Sequence, residues 1–106
     1  MEEKIKRLLS DLKEGLTRIY GEHLKGLYLY GSYARGEHDS ESDLDVLIIL
    51  DHFDQYGAEV DRTGPLTSAV SLQHGVSISR VFVSEEDWSS RNTSFLANAR
   101  EEAIPA

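Results

Sequence analysis

No cysteine occurs among the 106 residues, which excludes disulfides, thiolate zinc sites and cysteine nucleophiles together. Positive charge is scarce as well: 11 Lys and Arg stand against 19 Asp and Glu, a formal net charge of −8. Phosphate-backbone binding is dominated by Lys and Arg contacts, so direct nucleic-acid binding is not expected. A small anionic ligand held locally with a divalent cation stays compatible with that charge. Long apolar runs are missing too. The most continuous one, around Val46 to Leu50, has the length of a buried strand and falls far short of the ~20 residues that cross a bilayer. The opening "MEEKIKRLLS" interleaves charge with apolar residues and has no secretory-signal core, so a cytoplasmic protein without membrane contact is the expectation. Repeats, linkers and low-complexity segments are absent, which points to one domain over residues 1–106.

What is present divides into short periodic segments. Ile5, Leu8, Leu9, Leu12, Leu16 and Ile19 recur at spacings of three and four. This predicts an amphipathic helix over about Glu2 to Tyr20, closed at Gly21. "GLYLY", Gly26 to Tyr30, is a short β-prone run. "LDVLIIL", from Leu44, is almost continuously aliphatic and predicts a strand covered on both faces. The polar stretch after Leu50 predicts a loop and a short irregular helix broken at Gly64-Pro65, with another helical turn or two before Gly75. "VSISRVFV", Val76 to Val83, alternates and predicts a third strand. Ser84 followed by Glu85, Glu86 and Asp87 predicts an N-capped helix, with "FLANAREEA" helical to the end. The order helix, strand, strand, helix, strand, helix predicts an α/β (α+β) fold with a small mixed sheet flanked by helices.

The chemistry concentrates between the first two strands, in "GSYARGEHDSESDLD", residues 31 to 45. Glycine lets a phosphate approach the backbone, and a helix start presents unpaired N–H groups to an anion. Ser32 adds a hydroxyl donor. Alone, Gly-Ser after a strand is more often a plain turn. Asp43 and Asp45 lie two apart at the entry to the aliphatic strand, where residues i and i+2 share a face. Two carboxylates so placed repel one another unless a cation lies between them, and Mg²⁺ prefers carboxylate and phosphate oxygens. Alone, Asp-x-Asp is more often a turn cap or two solvated acids. Topology joins the pairs, since one strand ends in Gly-Ser and the next begins with the acids. Arg35 is available for a phosphate, or for Glu37, Asp39 or Glu41.

Gly31-Ser32, ten residues, then Asp43-Leu44-Asp45 resembles the nucleotidyltransferase signature of the DNA polymerase β superfamily. With "GSYARG" and "SDLDV" and its small size, the chain is most similar to the minimal nucleotidyltransferases encoded beside HEPN-domain proteins in prokaryotes. The likeness covers nearly the whole chain, and the combined motif is specific where each half is not. It implies that Gly31, Ser32, Arg35 and Ser42 hold a nucleotide and that Asp43 and Asp45 are the catalytic, Mg²⁺-ligating pair. It further implies that the reaction is nucleotidyl transfer from ATP, and that the protein is an antitoxin passing AMP to a hydroxyl, a tyrosine, of a HEPN ribonuclease toxin. A homo- or hetero-oligomer is compatible with this role. One departure stands out: active superfamily members usually place a third carboxylate on a later strand. The matching strand here offers only Ser77 and Ser79. A catalytically weakened domain that neutralises a toxin by binding it is therefore the alternative, with a small-molecule, aminoglycoside-type nucleotidyltransferase subunit as a third reading.

The remaining distinctive residues read more plainly. His23, His38, His52 and His74 are scattered without ligand spacing, as loop and helix-end histidines. Trp88 and Phe95 are expected in the core. Tyr28 and Tyr30 alternate with Leu27 and Leu29, and Tyr33 is placed to border a base.

Overall fold

The computed structural model describes residues 1–106. Helix α1 spans Glu3–Tyr20 and leads through a 3-10 turn, Gly21–His23, into strand β1, Leu24–Tyr30. Helix α2, Gly31–Arg35, follows without a break, and strand β2 is Leu44–Leu50. Helix α3 is Tyr56–His74, strand β3 Ile78–Ser84, helix α4 Glu85–Ser90, helix α5 Ser94–Glu102 and strand β4 Ile104–Pro105. The sheet runs β3-β2-β1-β4. Strands β1 and β2 are antiparallel, as are β1 and β4, while β2 and β3 are parallel. This is the mixed sheet flanked by helices that the element order predicts.

The aliphatic run of β2 explains its central place. Val46, Ile48 and Leu50 join the larger apolar cluster beneath α1, with Leu8, Leu12 and Leu16 fully buried. Leu47 and Ile49 join a smaller cluster on the opposite face with Val83, Leu96 and Ala99. Both faces of the strand are thus covered, and each fully buried aliphatic side chain contributes about 1.5–3 kcal/mol. On α1 the inward stripe ends at Leu16 and Tyr20, whereas Ile19 is exposed.

Three segments depart from the sequence expectation. Helix α3 runs through Gly64-Pro65 as one element, although proline removes a backbone donor and normally costs about 3 kcal/mol inside a helix. Threonine bonds within the helix span the break, and Arg80 of β3 holds the turn before it. Thr63 Oγ1 donates to Glu59 O at 2.9 Å, and Thr67 Oγ1 to Thr63 O at 2.8 Å. From β3, Arg80 Nε donates to Thr63 Oγ1 at 2.8 Å and Nη2 to Val60 O at 2.8 Å. Second, the C-terminal helix is two helices, each with its own cap: Ser84 Oγ accepts from Asp87 N–H and Thr93 Oγ1 from Leu96 N–H, both at 3.2 Å. Third, the chain leaves helix after Glu102. Ile104 pairs with Leu29 and Pro105 with Tyr28, which gives β1 a second neighbour.

Trp88 and Phe95 divide the role expected of both. Trp88 packs on Tyr28 with ring centroids 5.2 Å apart and lies under Arg100. Phe95 is 45 % exposed and stands edge-on to Tyr30, while its neighbour Leu96 fills the core. No helix is long and apolar enough to cross a membrane.

Candidate functional site

The site forms where β1 hands over to α2 and where β2 begins. Strand β1 ends at Tyr30 in extended backbone, and Gly31 turns the chain with φ +75°. That left-handed conformation is open to glycine at no steric cost. A second reason for glycine lies across the hairpin. A Cβ on Gly31 would overlap Asp45 Oδ2 and stand 3.2 Å from Asp45 Cγ. Register explains the approach, since Tyr30 pairs with Asp45. The Gly-Ser turn and the second aspartate of the pair are therefore in contact, as the strand-turn-strand reading requires.

Asp43 precedes β2 and is exposed, while Asp45 is half-buried on the strand. Burial pushes the Asp45 carboxyl above its ordinary range. The nearby charge of Asp43 adds to this, Arg35 opposes it, and Glu102 raises it again. The same surroundings act on Tyr30, whose phenol is pushed up to about 12 by burial, then by Asp45, Tyr56 and Glu102. Tyr30 thus keeps its proton at neutral pH beside the acid pair.

No group of three or more His, Asp or Glu side chains has metal-holding geometry. Asp43 and Asp45 are the two carboxylates that could hold an ion at this turn. That suits Mg²⁺, which binds through one or two carboxylates and completes its shell with waters and substrate phosphates. The two serines considered where a third acid was expected lie as follows. Ser79 pairs with Asp45 across the parallel β2–β3 ladder. Ser77 lies just before β3, exposed, and its carbonyl accepts from Leu44 N–H at 2.8 Å.

Ser32 occupies the second position of α2, half-buried, and its carbonyl accepts from Glu37 N–H at 2.9 Å. Arg35 is bound on both sides: Nε donates to Glu37 Oε2 at 3.0 Å and Nη1 to Glu102 Oε2 at 3.1 Å. Of the partners considered from sequence, Glu37 is met, and Glu102 is one the sequence did not suggest. Ser42 is engaged in the loop: its Oγ accepts from Asp39 N–H at 3.0 Å and donates to Asp39 Oδ1 at 3.2 Å. Gly36, at φ +72°, ends α2 and lets the loop reverse. Tyr33 stacks on His38 with centroids 3.9 Å apart, and the two line a groove of about 400 Å³ beside α2.

Sequence reasoning missed two groupings. Glu102 accepts from Gly31 N–H at 3.0 Å, a contact spanning 71 positions, and no local signal announces it. His23 and His52, scattered in sequence, meet on Asp51, with Nδ1 atoms 2.6 and 3.3 Å from its two carboxylate oxygens. Asp51 is held below the ordinary carboxylate range, chiefly by His23.

Residues 6–102 match the model of a family described as the nucleotidyltransferase domain. A protein of Methanocaldococcus jannaschii named "Putative protein adenylyltransferase" is 35% identical over 97 residues, covering 91% of this chain and 91% of its own. Two solved structures share the fold. One, "Structure of putative minimal nucleotidyltransferase", has a TM-score of 0.67 at 21% identity, over 98% of this chain and 94% of that one. The other, "Crystal structure of the toxin-antitoxin with AMP-PNP", has a TM-score of 0.63 at 20% identity, over 89% of this chain and 68% of that one.

Proposed function

The chain belongs to the nucleotidyltransferase domain family, and on that premise we propose that it transfers AMP from ATP to a protein hydroxyl as the antitoxin of a HEPN-type toxin, in the cytoplasm. The observation that carries the site is the contact of the Gly31 turn with Asp45. It sets the proposed phosphate seat against the proposed cation seat. The relative named as a protein adenylyltransferase supports the protein acceptor, and the toxin–antitoxin fold neighbour supports the partner class.

Each residue has a definite task in this reaction. Asp43 and Asp45 would hold Mg²⁺, which when bound draws charge from the α-phosphate and favours ionisation of the attacking hydroxyl. Gly31 lets the turn stand directly against the Asp45 carboxylate, and Ser32 Oγ–H donates to a phosphate oxygen. Tyr30, protonated at neutral pH, is a neutral donor beside Asp45 that adds no negative charge. The acceptor hydroxyl releases its proton to solvent, its oxygen bonds to the α-phosphorus, the bond from that phosphorus to the bridging oxygen breaks, and pyrophosphate leaves. The protein's contribution is orientation and charge placement. ATP labelled in its adenine, Mg²⁺ and the candidate toxin are incubated with this protein and with an Asp43→Asn, Asp45→Asn double variant. Label on the toxin that disappears with the variant is expected; equal label with both refutes the assignment.

Ser79 opposite Asp45 favours a second reading, neutralisation of the toxin by binding alone. Under it the double variant still protects cells from the toxin, whereas transfer-based protection is lost.

A further inference from the structure

We propose that Glu102 is a positioning residue for nucleotidyl transfer, fixing the turn that carries Gly31 and Ser32 through the Gly31 amide and Arg35. The proposal rests on reading that turn as the nucleotide's phosphate seat. Glu102 Oε1 accepts from Gly31 N–H at 3.0 Å, and Arg35 Nη1 donates to both carboxylate oxygens, at 3.3 and 3.1 Å. One side chain therefore ties the first residue of α2 to the last.

Glu102 is itself held from both sides. Leu96 and Ala99 of α5 are buried under the sheet, and Ile104, two residues beyond, pairs with Leu29 on β1. The carboxylate thus reaches the turn from a seated helix end. Its own acidity agrees with the contact, because the Gly31 N–H first and Arg35 next hold the Glu102 carboxyl below the ordinary range. Gly31 lacks a side chain and sits at φ +75°, so no Cβ of its own limits its backbone. A distant acceptor on its N–H supplies the restraint that a side chain would give elsewhere. With that amide occupied, a phosphate is left with the Ser32 hydroxyl and the N–H groups after it.

The test compares wild type with Glu102→Ala, Glu102→Gln and Glu102→Asp. Amide hydrogen exchange at Gly31 is read by NMR without nucleotide, and binding of AMP-PNP with Mg²⁺ is read by calorimetry. Loss of the acceptor in Glu102→Ala is expected to speed Gly31 exchange and to weaken AMP-PNP binding, each about tenfold, as for removal of one charge-assisted hydrogen bond. Glu102→Gln keeps an oxygen for the Gly31 N–H and is expected to restore both to within about threefold of wild type. Glu102→Asp keeps the charge but withdraws the oxygen by one methylene. It is expected to follow alanine, and it carries the test if the alanine variant does not fold. Unchanged Gly31 exchange in Glu102→Ala or Glu102→Asp overturns the proposal. So does binding as tight as wild type or tighter, the mark of a carboxylate that only competes with phosphate. If wild type binds no AMP-PNP, the nucleotide reading fails and the positioning role falls with it, whatever the exchange rates show.

Discussion

Replacing Gly31 by alanine has two separable effects, and a second glycine in the same loop separates them. Gly31 and Gly36 have nearly the same backbone, φ +75° and +72°. An L-residue in the left-handed region costs about 1–2 kcal/mol, so both alanine variants bear that cost. Around Gly36 nothing lies within 4 Å of the added Cβ, whereas at Gly31 it overlaps Asp45 Oδ2. Asp45 must then leave its rotamer, at roughly 0.5–1.5 kcal/mol more. For a domain of this size each kcal/mol lowers Tm by about 4–8 °C. Gly36→Ala should thus melt roughly 5–15 °C below wild type, and Gly31→Ala a further ~3–10 °C below that. The functional separation should be wider. Displacing the carboxylate proposed to hold the cation by about 1 Å costs on the order of a hundredfold in rate, while Gly36→Ala moves nothing at the acid pair. Thermal melts by circular dichroism and a labelled-ATP transfer assay measure the two effects. Equal melting and equal transfer in the two variants would refute the close approach of Gly31 to Asp45.

Two further outcomes follow from the electrostatics of the pair. The Asp45 carboxyl is raised in the folded protein by burial, with Asp43 adding to it. Its contribution to stability is therefore present below the unfolded value and lost as pH climbs through the raised folded one. Asp45→Asn should accordingly raise Tm of the metal-free protein near pH 7 and flatten that limb of the Tm–pH curve, while Mg²⁺-dependent AMP-PNP binding collapses; an unchanged pH limb would contradict this. Ser79→Asp places a third carboxylate in register with Asp45. It should lower Tm without metal and enlarge the Tm gain on adding Mg²⁺ beyond that of wild type, and an equal gain would mean that position 79 does not face the acids.

The parts of the molecule legible in its sequence are those whose cause is local. Val46 to Leu50 could be read as a central strand because both faces are apolar, and both faces are covered. Gly31-Ser32 and Asp43-x-Asp45 could be joined because one hairpin carries them. Helix α3 could not be read through Gly64-Pro65, because the bonds that sustain it come from Arg80, 17 and 20 positions away. Glu102 was hidden for the same reason. In sequence it is one more acid on a helix, and the packing of α5 together with the pairing of Ile104 with Leu29 brings its end to the Gly31 turn. Phe95 and Leu96 were indistinguishable by composition, and the start of α5 at Ser94 decides which of them faces inward.

The chain contains one tryptophan, and its position gives the fold an optical reporter of its own. Trp88 lies against Tyr28 of β1 and beneath the guanidinium of Arg100, which also donates to the Trp88 carbonyl at 2.7 Å. Arg100 sits on the same short helix as Glu102. Any event that lifts that helix from the sheet must withdraw a cation from the indole face and change its exposure to water. Emission from this single fluorophore can therefore report, without a label and in real time, whether the helix carrying Glu102 stays seated while a ligand enters.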